Sequence, residues 1–99
     1  MSNTGMEVKD LRNFVAVYET LNFSRAASRL QTVQSNVSAR IRMLEKQLST
    51  ALFERTPRSV VPTRRGRALY RPAVRIIAAI NALERSTRRG SRRTRQGVG

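Results

Sequence analysis

The side chains of this 99-residue chain that can do chemistry are overwhelmingly cationic: 20 Lys and Arg stand against six Asp and Glu, a formal charge of +14. Lysine occurs only at Lys9 and Lys46, so the excess is arginine. A guanidinium donates two parallel hydrogen bonds in one plane, which suits phosphate and the guanine edge. The acidic residues Glu7, Asp10, Glu19, Glu45, Glu54 and Glu84 are scattered and form no cluster suited to a metal or to general acid and base work. Cysteine and histidine are both absent, which removes disulfides, thiolate nucleophiles and the usual proton shuttle near neutral pH. The composition therefore argues against an enzyme and gives no reason to expect a cofactor. It points to a polyanion, nucleic acid before an anionic membrane or an acidic protein.

The elements that must position these residues follow from apolar spacing. Val8, Leu11, Phe14, Val15, Tyr18 and Leu21 recur at three- and four-residue steps, which predicts one buried helical face between Glu7 and Leu21. Ser24 offers a cap for a short second helix from Arg25 to about Leu30, in which Ala26 and Ala27 permit close helix approach. A third helix reads from Gln34 to Leu48 or Ser49, its stripe of Val37, Ile41, Leu44 and Leu48 facing the core. At ~100° per residue its outward face carries Ser35, Ala39, Arg42 and Lys46, with Gln34, Asn36, Ser38 and Met43 toward the flanks. Alone, such a stripe fits any surface helix.

Ala51 to Arg55 and Val60 to Pro62, separated by Thr56-Pro57-Arg58-Ser59, predict a short β-hairpin. Pro62 confines the second strand to an edge or to a very short run. Thr63 caps a long helix bearing Leu69, Ala73, Ile76, Ile77, Ile80 and Leu83, with Pro72 expected to kink it or to mark the end of its first turn. That stripe is too apolar for a lone exposed helix and predicts dimerisation, the other reading being that it packs on its own domain. The expected organisation is mainly α: a winged helix-turn-helix of three helices and a hairpin wing over residues 1–62, a linker and dimerisation helix over 63–85, and a disordered basic tail over 86–99. No run approaches the roughly 20 apolar residues of a membrane span, and the first residues lack a secretory pattern, so cytoplasmic residence and no membrane association are expected.

Several segments in order resemble a known family: Phe23-Ser24-Arg25-Ala26-Ala27-Ser28-Arg29-Leu30, Gln34-Ser35-Asn36-Val37-Ser38, Ile41-Arg42, Leu44-Glu45, Leu52-Phe53-Glu54-Arg55, and Thr63 with Gly66. Together, over about Glu7 to Leu83, they look like the N-terminal DNA-binding domain of LysR-type transcriptional regulators. The resemblance implies a bacterial transcription factor of the nucleoid that binds partly palindromic double-stranded promoter DNA as a homodimer. It places base contacts at Gln34, Ser35, Ser38 and Ala39, and phosphate or groove-edge contacts at Ser24, Asn36, Arg40, Arg42, Arg55 and Arg58. Gln34 is suited to adenine, and Ala39 to a thymine methyl.

The chain departs from the family pattern where Val33 precedes the glutamine in place of Ser or Thr, so that Thr32 or no side chain caps the third helix. Ser35 replaces a common proline, Ala39 a common arginine, and Pro57 a frequent glycine. Relatives normally continue into a domain that senses a small molecule. The chain is expected to be the DNA-binding part of such a regulator, with an effector only where that domain exists; a short natural protein with a basic tail is the other reading. Beside sequence-specific DNA binding, the residues also admit a non-specific nucleic-acid-coating protein and a helical module that holds a protein partner.

Overall fold

The computed structural model describes residues 5–98, with side chains through residue 88. Helix α1 (Val8–Thr20) begins where the Asp10 carboxylate accepts a hydrogen bond from the Glu7 amide at 2.9 Å, satisfying an amide at the helix start. Leu11, Phe14, Ala16 and Val17 are its buried face. The predicted face is therefore rotated slightly: Val15 and Tyr18 lie at its margin, and Leu21 is exposed because it closes the helix in the left-handed conformation.

Helix α2 (Phe23–Arg29) corrects the expected cap. Asn22, in extended conformation, accepts a hydrogen bond from the Arg25 amide at 2.9 Å, so the helix starts two residues before the predicted position and Ser24 lies inside it. Ala26 and Ala27 are buried, as close packing of neighbouring helices requires. The helix ends in paired bonds from Gln31 N to Ser28 O and Thr32 N to Ala27 O, with Gln31 at φ 58°. This tight reversal leaves only residues 30–33 between α2 and α3.

Helix α3 (Gln34–Leu48) follows extended Val33, whose carbonyl accepts from the Asn36 and Val37 amides; no side chain caps it. Val37, Ile41 and Leu44 are fully buried, and Ser49 in the left-handed conformation ends the helix. Strands β1 (Phe53–Arg55) and β2 (Val60–Pro62) pair antiparallel with Phe53 opposite Pro62 and Arg55 opposite Val60. Each is an edge of a two-stranded sheet, so Pro62 at the ladder's end costs little pairing. At the tip, the Thr56 hydroxyl accepts from the Arg58 and Ser59 amides, giving the turn a side-chain brace. Buried Phe53 fixes the hairpin to the core, its ring 5.5 Å from that of Phe14.

Helix α4 (Arg64–Val98) starts at the predicted cap: the Thr63 hydroxyl accepts from Gly66 N at 3.1 Å and donates to Ala51 O at 2.7 Å. Gly66 is required here, since a Cβ would sit 2.2 Å from the Leu52 carbonyl oxygen. Pro72 lies within the helix without ending it; the residue is exposed, so water can reach the backbone acceptor left without its amide. The tail expected to be disordered from residue 86 enters α4, since no glycine or proline interrupts the chain between Pro72 and Gly90. Beyond Arg88 that expectation lies outside the residues whose side chains are described.

The apolar stripe of α4 is divided between two environments. Ala73 is fully buried, and Leu69 and Ile77 pack on the core of their own domain. Ile80 is half-buried, whereas Ile76 is 47% and Leu83 65% exposed. Helix α4 is tied to α1 near its start by a stacked Tyr18–Tyr70 pair, ring centroids 4.1 Å apart, and near its middle by Arg12 donating to Asn81 Oδ1 at 3.0 Å.

Candidate nucleic-acid interface

The short α2, the reversal at Gln31 and the buried stripe of α3 leave the first turn of α3 facing solvent. Gln34, Ser35 and Asn36 are exposed there, with Ala39 and Arg42 exposed further along and Ser38 half-buried. Two of these side chains are tethered through hydroxyls. Ser24 of α2 donates to Gln34 Oε1 at 2.8 Å, and Asn36 Nδ2 donates to Thr32 Oγ1 at 2.9 Å. The Gln34 amide thus turns its nitrogen away from α2, and Asn36 its oxygen away from Thr32.

Two arginines expected at phosphate are engaged inside the domain. Arg40 lies on the flank of α3 nearest the core, and its Nη1 meets Asp10 Oδ1 at 3.0 Å, the carboxylate being buried. Asp10 thereby joins the start of α1 to the middle of α3. Arg55 reaches Glu45 Oε1 at 3.5 Å and lies over the Phe23 ring, 4.9 Å from its centroid. Both placements reflect local opposite charge: a carboxylate in a partly dry site holds a nearby guanidinium. Arg42 is exposed on α3 and Arg58 at the wing tip, with no ion pair to either among the described residues.

Glu45, which the sequence offered only as part of the family pattern, joins α3 to the hairpin. Its Oε2 accepts from Leu52 N at 2.8 Å and Phe53 N at 3.2 Å, while Oε1 meets Arg55. One carboxylate therefore fixes the first strand of the wing to the last turns of α3. Position alone gave no sign of this, because it depends on the chain reversing at Ser49 to present two unpaired amides.

A second carboxylate holds three of the helices together. Glu19 on α1 accepts from the Tyr70 hydroxyl of α4 and from Arg29 Nη1 of α2 at 2.6 Å. The Tyr70 hydrogen bond, aided by Arg29, holds the Glu19 carboxyl below its ordinary value of 4.5 despite partial desolvation. Reciprocally, Glu19 raises the Tyr70 phenol above its ordinary value.

Residues 8–67 match the model of the bacterial regulatory helix-turn-helix protein, lysR family. The chain belongs to this family. It is 43% identical over 84 residues to the HTH-type transcriptional regulator IlvR of Caulobacter vibrioides, covering 85% of this chain and 28% of that protein. To the regulator ShiR of Corynebacterium glutamicum it is 48% identical over 86 residues, covering 80% of this chain and 29% of that protein. The chain thus spans less than a third of these two relatives.

Among solved structures, a BenM DBD complex with benA site 1 DNA matches at a TM-score of 0.79 and 36% identity, over 85% of this chain and 94% of that one. A CbnR DBD–DNA complex matches at 0.80 and 31%, over 87% and 99%. The winged helix-turn-helix followed by a long helix is therefore the LysR-family architecture, and its three helices, hairpin and α4 occur in the predicted order.

Proposed function

We propose that this chain is the DNA-binding module of a cytoplasmic transcription regulator, which lays the start of α3 in the major groove of duplex DNA. The observation that carries the reading is the exposed first turn of α3, where Gln34 and Ser35 present hydrogen-bonding groups while the opposite face of the helix is fully buried. Ser38 and Ala39 extend that surface by one turn. Ser24, Asn36, Arg42 and Arg58 surround it and supply contacts to phosphate or groove edges, which fix orientation without reading sequence. Arg40 and Arg55 act indirectly, by holding α3 and the wing in place. The DNA complexes of the related BenM and CbnR domains support this arrangement.

In this reading two copies join through α4 and address a partly palindromic site, one half-site each. Ile76 and Leu83, both exposed and seven residues apart on one face, supply the contact, with Ile80 at its edge. Leu69, Ala73 and Ile77 contribute by keeping α4 on its own domain. Response to a small molecule would belong to a sensing domain such as the longer relatives have room for. Footprinting across genomic fragments at moderate salt tests the proposal: discrete protected sites are expected, and uniform protection would leave a non-specific coating protein. For the dimer, sedimentation should show Ile76→Glu shifted to monomer with weakened operator binding; an unchanged mass and affinity would remove α4 as the contact.

A further inference from the structure

Helix α4 turns one face to its own domain and, opposite it, a row of arginines to solvent. Arg64, Arg67, Arg71 and Arg75 recur at three- and four-residue steps, so at ~100° per residue they fall within about 80° of one another, roughly opposite buried Ala73. All four are exposed, and among the described residues no ion pair reaches them. The first carboxylate of α4 is Glu84, beyond the row. The arrangement works against the helix itself. Like charges three and four residues apart repel, and Arg64, Arg65 and Arg67 crowd the positive end of the helix dipole, where an acidic residue is favoured and none stands in the first turn. Solvation alone does not call for this, since mixed charges keep a helix face wet at no such cost.

The row also looks away from α3. On α1, Asp10 reaches α3 through Arg40, whereas Arg12 and Glu19 reach α4 through Asn81 and Tyr70. Arg12 and Glu19 point about 200° and about 180° round the helix from Asp10, which puts α3 and α4 on opposite sides of α1. Each buries the face it turns to the core, so the exposed first turn of α3 and the arginine row stand back to back. We propose that Arg64, Arg67, Arg71 and Arg75 form a second DNA site, which takes the phosphate backbone of another duplex segment without reading sequence, so that one chain bridges two segments. This rests on the proposed use of α3 for the first segment. Guanidinium forks at regular steps suit a uniformly charged rod: over the roughly 16 Å of the row a duplex carries about ten phosphate charges. The row's neighbours Ala68, Val74 and Ala78 include none of the Trp, Phe or Leu side chains by which a basic helix enters a lipid surface. Ile76 and Leu83 lie beside the row rather than in it, so pairing of two copies through them leaves it open. Once α3 holds one segment, further DNA of the same molecule is present at high effective concentration.

The test is capture of a labelled duplex of unrelated sequence by chain already bound to an immobilised duplex that carries a footprinted site. Wild type is compared with Arg71→Gln/Arg75→Gln, with the quadruple variant that adds Arg64→Gln and Arg67→Gln, and with Lys9→Gln/Arg88→Gln, which removes two exposed charges off the row. Glutamine keeps a helix propensity close to that of arginine. Wild type is expected to retain the second duplex at low salt and to release it steeply as salt rises. The double row variant should weaken capture about tenfold or more and lower the slope of log affinity against log salt by about two. The quadruple variant should abolish capture, and Lys9→Gln/Arg88→Gln should capture like wild type. Footprints on the immobilised duplex should be the same in all four chains. Both row variants should melt at or above the wild-type temperature, because the charges removed repel one another and oppose the helix dipole.

Capture by the quadruple variant equal to wild type would overturn the proposal. Two copies would then be bridging duplexes with their two α3 helices, and loss of binding to polyglutamate-coated beads in that variant would assign the row to an acidic protein instead. An equal loss of capture in Lys9→Gln/Arg88→Gln would make the effect one of net charge and overturn it too. So would a lower melting temperature in the row variants, which would make the row part of the fold. A wild type that protects a discrete site but captures no second duplex at low salt would overturn the role of the row while leaving base reading by α3 intact. A wild type that protects no discrete site, with all DNA binding lost in the quadruple variant, would instead overturn the reading of α3, and the two-segment arrangement with it.

Discussion

The two ends of α3 share one helix and one buried stripe, yet their polar residues do opposite things. At the start, Gln34, Ser35 and Asn36 face solvent, and the two amides among them are bound only through single hydroxyls. Near the end, Glu45 uses both carboxylate oxygens on the wing, gathering Leu52 N, Phe53 N and Arg55. Groups at the start remain available for exchange with a ligand; those at the end are consumed in holding the domain's shape. The division teaches that position in the stripe decides stability, whereas what faces a polar residue decides whether it stays available at the surface or supports the fold.

The contrast can be broken most forcefully through the shared stripe. Leu44→Ala removes a fully buried side chain and should cost about 2–5 kcal/mol of stability. Thermal or urea unfolding measures this directly, and both ends should fail together. A loss under about 1 kcal/mol would mean that α3 is not anchored as described.

Separating the two ends requires Glu45→Ala, which leaves two amides of the wing and one guanidinium without their acceptor. A cost of about 1–3 kcal/mol is expected, read by unfolding. DNA affinity should fall while the preferred bases stay the same, because the wing is displaced and the first turn of α3 is not. Altered base preference in a binding selection would contradict the division of labour.

The smallest effect concerns the frame beneath both ends. Glu19 has a folded-state value held below its ordinary one, chiefly by the Tyr70 hydroxyl. Such a carboxylate stabilises fully above its unfolded value, and that contribution is lost as pH falls through the folded value. The wild-type melting temperature should therefore drop more steeply below about pH 4.5 than that of Glu19→Gln. Partial exposure of the Glu19–Arg29 pair keeps the difference small. Parallel pH profiles would show that Glu19 does not link α1, α2 and α4 in solution.

Much of the architecture was legible in the sequence because it depends on periodic apolar residues. The buried stripe of α3, its start at Gln34, the hairpin around Thr56 to Ser59 and the Thr63 cap all appear where spacing and turn chemistry put them. What escaped depends on contacts between distant segments. Asn22 and Ser24 are both good capping residues, and only backbone conformation decides that Asn22 is the cap. Arg40 entered only through the family resemblance, and nothing local revealed that Asp10, thirty residues earlier, would pair with it. Arg55 was drawn inward by Glu45 and Phe23 for the same reason. The α4 stripe read as one surface, whereas packing against α1 takes Ala73 and Ile77 and leaves Ile76 and Leu83 outside.

The central claim is that the first turn of α3 reads bases while the remaining polar structure positions it. The most direct measurement is the affinity of wild type and Gln34→Ala for a selected operator and for an unrelated duplex of equal length, over a range of salt. The account predicts that Gln34→Ala loses affinity for the operator only, leaving unrelated DNA and its salt dependence unchanged. Equal affinity of the wild type for both duplexes, or an equal loss on both, would contradict it.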